Sequence, residues 1–318
     1  MSDWKLFRGT PTDPHAEAKR LETLAPPWRQ PGKDRTHRAT TYIASEPEKL
    51  AVNAALHLRR PLLVTGPPGC GKSSLAYAIA EEMQLGPVLK WPINSRTTLA
   101  DGLYHYDAIG RMRDVQHDPV KSKDIASYLQ LMSLGTALAS PTVRVVLIDE
   151  IDKADIDLPN DLLHVLEEGN FEIRELQRLA ETQSEIHVRN ADGSTVTVKN
   201  GSVPATVFPI IVLTSNGERE LPLALHRRCL RLKVEPPTEE RLAEIVQSHL
   251  GAYLQQDDPA AKELKNLITD FVTRRNGGKI MATDQLLNFL YLLFQDRGSS
   301  LGKDADAVRE LIFRGLDE

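Results

Sequence analysis

Cysteine is nearly missing from this chain, with Cys70 and Cys229 the two examples in 318 residues. One lies in a glycine-rich segment and the other beside an arginine pair, so there is no disulfide framework and the composition fits a reducing compartment. Aromatic residues are sparse, at 5%. No apolar run approaches the roughly 20 residues of a membrane-spanning helix. The opening Met1-Ser2-Asp3-Trp4-Lys5 has charges where a signal peptide needs an apolar stretch. These absences make the cytoplasm the expected location, with no membrane partner. Charge of one sign is also not in excess. Lys and Arg number 39 against 44 Asp and Glu, for a net charge of −5 and a pI near 6.0. That excludes nucleic-acid binding by bulk charge, though not by a local basic patch. His57, His164, His187 and His226 are scattered without metal-ligand spacing. What remains, 41% hydrophobic and 26% charged, is ordinary globular composition at a length that suggests two domains.

Against this background one segment is distinctive. Gly66-Pro67-Pro68-Gly69-Cys70-Gly71-Lys72-Ser73 fits G-x-x-x-x-G-K-[ST]. Pro61 to Thr65 before it reads as a short buried strand, and Ser74 to Glu82 after it as a helix. That context turns a text match into a phosphate-binding loop. Glycines let the backbone curl so that successive N–H groups point at phosphate oxygens, and the helix N-terminus adds its partial positive charge. Lys72 is placed to reach the β- and γ-phosphates, and the Ser73 hydroxyl to ligate Mg²⁺.

The chain divides into three parts. Residues 1–40 are rich in Pro, Thr and charge and read as an extended arm, with a short helix at Ala16 to Leu24. Trp4, Phe7 and Trp28 are too many large apolar groups for a free linker, so the arm is expected to pack on the folded body or a neighbouring subunit. Residues 41–235 alternate helices and short apolar strands. Glu46–Leu58 is a predicted helix, and Leu62–Thr65 and Val88–Ile93 are strands. Ile125–Ala139 is helical, Arg144–Ile148 a strand buried on both faces, Leu158–Glu168 a helix, and Phe208–Leu213 and Leu230–Val234 strands. Such alternation implies right-handed βαβ crossovers and a parallel sheet. Two polar inserts interrupt it, at about 103–115 with a turn at Ile109-Gly110, and at about 185–200 around Asp192-Gly193. Both read as hairpins, the second strongly. After Pro236-Pro237, residues 236–318 are wholly helical: a helix from the N-cap Thr238 to about Leu254, then 260–274, 283–296 and 303–315.

A second acidic feature belongs with the loop. Val145-Val146-Leu147-Ile148-Asp149-Glu150 is an apolar strand that ends in two acids, and ligands in open parallel sheets sit at the carboxyl ends of strands. Asp149 would face the Mg²⁺ held by Ser73, and Glu150 would polarise a water for attack on the γ-phosphate. Asn94, ending the second strand, either restrains Glu150 until ligand binds or caps a turn.

These residues resemble AAA+ ATPases, and within them the MoxR-like, dynein-related group, from about residue 40 to the end. Gly66–Ser73 and Val145–Glu150 match the Walker A and Walker B motifs. Leu213-Thr214-Ser215-Asn216 matches the sensor-1 strand end, and Ala224-Leu225-His226-Arg227-Arg228-Cys229 the arginine-finger segment. The resemblance implies an α/β P-loop core, a parallel five-stranded αβα sheet of order 5-1-4-3-2, followed by a small all-helical lid. It implies ATP and Mg²⁺ as cofactors. Nucleotide contacts would come from Gly66, Pro67, Pro68, Gly69, Cys70, Gly71, Lys72, Ser73 and Ser74, with Tyr42 and Ile43, and the metal ligands are Ser73 and Asp149. Lys72, Glu150 and Asn216 are the implied catalytic groups of the subunit itself. Arg228 is the implied finger, with Arg227 its auxiliary or alternative, acting across a subunit boundary. The insert at Leu103–Arg113 looks like the helix-two insert of the MoxR group. One departure matters: Met281-Ala282-Thr283-Asp284-Gln285 lacks the sensor-2 arginine, for which Arg274, Arg275 or Lys279 are the available substitutes.

The expected function is ATP hydrolysis at the subunit interfaces of a homo-oligomeric ring, a hexamer in this family, driving work on a partner protein. A von Willebrand factor A domain protein is the implied partner. The alternative is a nucleic-acid-stimulated motor of a restriction or defence system, using Arg111, Arg113, Lys121 and Lys123, although Asp107, Asp114, Asp118 and Asp124 interleave with them. A non-catalytic nucleotide switch would need a defective acid or finger, and Asp149, Glu150 and Arg228 are all present.

Overall fold

The structure, a computed structural model, describes residues 4–7, 19, 21, 25–30, 34–117, 123–251, 260–294 and 301–315. Asp118, Lys121, residues 252–254 and 295–296, and all of the expected helix at Ala16–Leu24 except Lys19 and Leu21, lie outside them. Two compact units are present. One comprises Ala44–Gly66 and Ile79–Val234, and the other Met1–Ile43, Pro67–Ala78 and Glu235–Glu318.

In chain order the helices are α1 (Asp34–Thr40), α2 (Glu46–Leu58), α3 (Lys72–Glu82), α4 (Leu99–Leu103), α5 (Ala108–His117), α6 (Ser133–Ala139), α7 (Asp157–Glu168), α8 (Arg174–Gln177), α9 (Leu223–Arg228), α10 (Glu239–Leu250), α11 (Ala260–Asn276), α12 (Thr283–Phe294) and α13 (Ala305–Ile312). The strands are β1 (Leu62–Thr65), β2 (Leu89–Pro92), β3 (Tyr104–Tyr106), β4 (Leu129–Leu131), β5 (Val145–Asp149), β6 (Asn170–Glu172), β7 (Glu185–Arg189), β8 (Thr195–Lys199), β9 (Ser202–Pro204), β10 (Ile210–Ser215) and β11 (Leu230–Lys233).

The larger unit contains two sheets. The first has five parallel strands in the order β11-β1-β10-β5-β2. Numbered within the sheet, this is the expected 5-1-4-3-2. Its inner strands β1, β5 and β10 are buried on both faces, and Val145 to Ile148 are all but inaccessible. Parallel pairing places every strand's carboxyl end on one edge, where Thr65, Asp149 and Ser215 end their strands.

The second sheet is assembled from the inserts, in the order β3-β4-β7-β8-β9-β6. The hairpin around Asp192-Gly193 is β7 paired antiparallel with β8, and Gly193 has the positive φ of 84° that such a turn requires. The segment 103–113 is not a hairpin. Asp107 follows β3 and caps a helix, its Oδ1 accepting from the Gly110 N–H at 2.8 Å, so the chain enters α5 where a turn was expected. β3 pairs instead with β4. This also breaks the helix expected over Ile125–Ala139. That stretch is a 3₁₀ turn at Ile125–Tyr128, then β4, then α6. Leu129 and Leu131 are buried with Gln130 exposed between them, the period-two signature of a strand. Residues of both sheets share one core, from Leu63 and Ile148 to Ile186 and Val198.

In the second unit α10 to α13 pack around Phe271, Phe289 and Phe313, whose rings meet edge-on at 5.4 and 5.5 Å. Thr238 caps α10 as expected, accepting from the Arg241 N–H at 3.3 Å. The arm docks on this cluster. Trp4 donates its indole N–H to Asp304 at 3.0 Å and Trp28 donates to Asn288 at 3.0 Å, while Phe7 stays exposed. Trp28 also stacks edge-on against His249 and Tyr291, and His37 Nε2 lies 3.0 Å from His249 Nδ1. Burial, with His37 as a secondary cause, pushes His249 down to about 4, and burial also lowers His37. Both shifts favour the neutral imidazoles.

Candidate nucleotide-binding site

Thr214, near the end of β10, organises the carboxyl edge of the parallel sheet. Its hydroxyl donates to Asp149 Oδ1 at 2.8 Å and accepts from the Glu150 N–H at 2.9 Å. Both acids of the strand end are thus held by one buried side chain. Lys90 on β2 lies 2.7 Å from the other Asp149 oxygen. Glu150 has φ 63° and ψ 51°, a left-handed conformation that is costly for a non-glycine residue. The bond to Thr214, and that from the Lys153 N–H to the Glu150 carbonyl at 2.9 Å, hold it there. Its carboxylate is paired with Lys153 Nζ at 2.8 Å and stands 3.5 Å from Asn216 Nδ2. That pairing outweighs burial, which acts the other way, and raises the Lys153 ammonium above the usual lysine range.

Asp149, Glu150 and Asn216 are therefore brought together as expected. The loop begins at the same edge, where the Gly66 N–H donates to the Ser215 carbonyl at 3.3 Å. Asp152, at 1% exposure the most deeply buried acid of this edge, accepts from the N–H groups of Asn216 at 2.9 Å and Glu218 at 3.0 Å. It ties the Asn216 loop to the end of β5. Asn94 takes the second of its two expected roles, because its Oδ1 accepts from the Arg96 N–H at 2.8 Å and closes an Asx turn.

Within the other unit the loop is built for close backbone approach. Gly69 and Gly71 have φ of 72° and 92°, and a Cβ at Gly69 would overlap that of Ala282. Lys72 is buried, and its Nζ donates to the Pro67 carbonyl at 2.8 Å across the loop. Ser73 and Ser74 lie in the first turn of α3, with the Ser74 N–H bonded to the Gly71 carbonyl. Tyr42 lies against Gly71, its ring 3.3 Å from where a Cβ would stand. The Ile43 carbonyl accepts from Arg241 Nη2 at 2.7 Å. Cys70 and Cys229 are not joined in a disulfide, and burial pushes Cys229 up to about 11, well away from reactive thiolate character.

Ala282 stands where a sensor-2 arginine was missed. Gln285 reaches back to the Ala282 N–H at 2.8 Å, so α12 starts at Thr283 rather than after it. Arg274 pairs with Asp270 and Glu310, and Arg275 donates to the Pro237 carbonyl at 2.9 Å, so both serve the fold of the lid.

Arg227 and Arg228 end α9 but have different surroundings. Arg228 forms a two-point ion pair with Glu167 of α7, with Nη2 to Oε2 at 3.1 Å and a shorter contact between Nε and Oε1. That pair holds the Glu167 carboxyl below its usual range and raises the Arg228 guanidinium. Arg60 anchors the end of α9 by donating to the carbonyls of Arg227 and of Arg228, the latter at 3.0 Å. The Arg227 side chain is exposed, on the same helix face as Leu223, itself 85% exposed. In the insert, Arg111 donates to the Tyr106 hydroxyl at 3.1 Å, which turns one cation of the proposed basic patch inward.

Thr214, Asp152, Lys90, Lys153 and Glu167 were not singled out in the sequence. Thr214 stood inside a motif named for its asparagine. The others are ordinary charged residues whose partners are distant in the chain or across a turn.

A glycine loop that follows the first strand of a 5-1-4-3-2 parallel sheet, together with an acid pair and a polar strand end on the carboxyl edge of that sheet, defines a P-loop nucleotide hydrolase. The description "AAA domain (dynein-related subfamily)" matches residues 61–229, more than half of the chain, and the chain belongs to that family of AAA ATPases. No curated protein sequence matches it. Among solved structures, that of C. elegans PCH-2 is similar at 17% identity, over 89% of this chain and 72% of that one, with a TM-score of 0.46. Among the described residues no helix is long and apolar enough to cross a membrane.

Proposed function

We propose that this chain is a MoxR-like AAA+ ATPase that hydrolyses ATP at the subunit interfaces of a homo-oligomeric ring and uses that work to remodel or activate a partner protein. The observation that supports hydrolysis best is the Thr214 network, which orients Asp149 and Glu150 together at the edge from which the loop departs. The donor set suits the cofactors. Ser73 and Asp149 offer the hard oxygen ligands that Mg²⁺ takes, and the loop from Gly66 to Ser74 offers N–H groups and one ammonium to phosphates. Bound Mg·ATP would supply the electrophilic γ-phosphate.

The chain's own residues do the rest. Lys72 exchanges its bond to the Pro67 carbonyl for phosphate oxygens. Glu150, released from Lys153, takes the proton of the attacking water at its carboxylate, and Asn216 orients that water. Tyr42 and Ile43 line the nucleotide, and residues 236–318 act as the lid.

Arg227 is the better finger. Arg228 is clasped by Glu167 of its own subunit, whereas Arg227 projects from the surface beside exposed Leu223, an arrangement suited to a neighbouring copy. A guanidinium supplied this way makes turnover depend on assembly. The two inserts, in the positions where the MoxR group carries its own, support that assignment. A von Willebrand factor A domain protein is the partner this reading names, and the cytoplasm is the location.

The test is ATPase rate per subunit against protein concentration for the wild type, Arg227→Ala and Arg228→Ala. We expect the wild-type rate to rise with concentration and Arg227→Ala to remove that rise. A rate that is flat on dilution and indifferent to Arg227→Ala would sink the shared site.

A further inference from the structure

Lys90 has no place in the mechanism above, yet its ammonium lies 2.7 Å from Oδ2 of Asp149, the carboxylate read as a metal ligand. Its position follows from register. β2 is the edge strand of the parallel sheet, with Lys90 opposite Leu147 and Pro92 opposite Asp149. Residues 147 and 149 share a sheet face, so the Lys90 stem rises on the face that Asp149 occupies and its head reaches two residues along. The backbone there is pinned, because Ser133 Oγ donates to the Lys90 carbonyl at 2.7 Å. The opposite oxygen of Asp149 is fixed by Thr214. One oxygen of this acid is thus oriented by a neutral donor, and the other is matched to a cation.

We propose that Lys90 is the built-in counter-cation of Asp149 and sets how tightly the site takes a divalent metal. The proposal rests on the reading of Asp149 as a Mg²⁺ ligand. An ammonium is a compact charge on a flexible stem and cannot ligate a metal. Before metal arrives it neutralises the carboxylate and holds it in the orientation the site uses. When metal arrives it either stays nearby and repels a second cation, or gives up its ion pair. Both effects weaken metal binding, and both make occupancy depend on Mg²⁺ arriving with the negative charge of a nucleotide. The site is in this way selective for the metal–nucleotide complex over free metal.

The experiment uses the full chain with Mn²⁺ as the probe. Free Mn²⁺ is followed by electron paramagnetic resonance, with and without ADP. Lys90→Met, which keeps the stem and removes the charge, should tighten Mn²⁺ binding about fivefold or more, the size expected for charges of +1 and +2 some 5 Å apart after solvent screening. Most of the gain should appear without ADP. Lys90→Arg should stay within about twofold of the wild type, because it retains the charge. Lys90→Gln is the second neutral variant should Lys90→Met fold poorly. Unchanged or weaker Mn²⁺ binding in both neutral variants, with binding still lost in Asp149→Asn, overturns the role of Lys90 alone. Binding that survives Asp149→Asn overturns the metal-ligand reading, and the proposal with it.

Discussion

The two sheets of the larger unit share a core but are made differently. The parallel sheet uses strands of four to six residues, mostly apolar and buried on both faces, and its carboxyl edge gathers Asp149, Glu150, Thr214 and Asn216. The insert sheet uses strands of three to five residues. In its central hairpin Ile186, Val188 and Val198 turn inward, while Glu185, His187, Arg189, Thr195 and Thr197 face solvent. None of the expected catalytic or metal-binding residues lies on it. Two-sided burial leaves the polar groups of a parallel sheet only its strand ends, which is why chemistry collects there. A sheet with one face open offers a broad polar surface instead, suited to meeting another molecule.

The sharpest way to break this contrast is at Glu150. Glu150→Gln should lower ATP turnover by about 10²-fold or more, as loss of a general base does, while nucleotide affinity holds. Near-normal steady-state turnover alongside intact binding would remove the chemistry from this edge. Next in size is Thr214→Val. It deletes the donor to Asp149 and leaves the Glu150 N–H without its acceptor, so we expect about 2 kcal/mol of lost stability together with a fall in kcat. A stability loss in denaturant unfolding with kcat unchanged would make the threonine purely structural.

The insert sheet has a counterpart test in Gly135→Ala. A Cβ there would overlap the Leu103 carbonyl, the same oxygen that accepts from the Met132 N–H at 3.0 Å beside β3 and β4. Overpacking of this kind costs about 1–3 kcal/mol. ATPase activity per folded molecule should be kept, and its loss would show that the two sheets do not act separately.

The smallest effect is expected where the two sheets are tied together. Arg144, just ahead of β5, pairs with Asp192 of the insert hairpin at 2.7 Å. Hydrogen bonds from Ser194 and then Arg144 lower the Asp192 carboxyl to about 2. Because the folded value is depressed, this stabilisation is present above the unfolded value near 3.8 and fades as pH falls towards 2. Asp192→Ala should cost about 1 kcal/mol or less at pH 7. The gap between wild type and variant in unfolding midpoint should narrow as pH falls from about 4 to about 2, and a gap undiminished at pH 2 would assign it to something other than the charge.

Legibility followed the same division. Every strand of the parallel sheet was visible, as an apolar run for β1, β5 and β10 and as an alternating one for β2 and β11, with a boundary shift of two residues or less, and the strand order came with the family resemblance. The hairpin at Asp192-Gly193 was visible because its turn and both strands are contiguous. β3, β4, β6 and β9 were not. β4 is three residues long and lies inside a stretch of helical periodicity, and its partners Tyr104–Tyr106 and Arg189 come from before and after it in the chain. A strand this short is decided by its neighbours, since its own propensity is weak beside the pairing it gains. Overlooked local signals were Asp107, which caps α5 where a turn at Ile109-Gly110 was expected, and the capping box of Thr98 and Asp101 that starts α4.

The chemistry divides in a similar way. The phosphate loop, the acid pair and Asn216 are contiguous motifs, because backbone geometry and charge at a strand end must be encoded side by side. From them the sequence alone determined the class of protein, and the resemblance they carry supplied the strand order. Only tertiary structure decided that Thr214 holds both acids and that Lys90 matches Asp149. The same holds for the clasp of Glu167 on Arg228, which leaves Arg227 exposed. Each of these joins residues on different elements, and a hydrogen bond or ion pair depends on distance in space, to which separation along the chain is no guide.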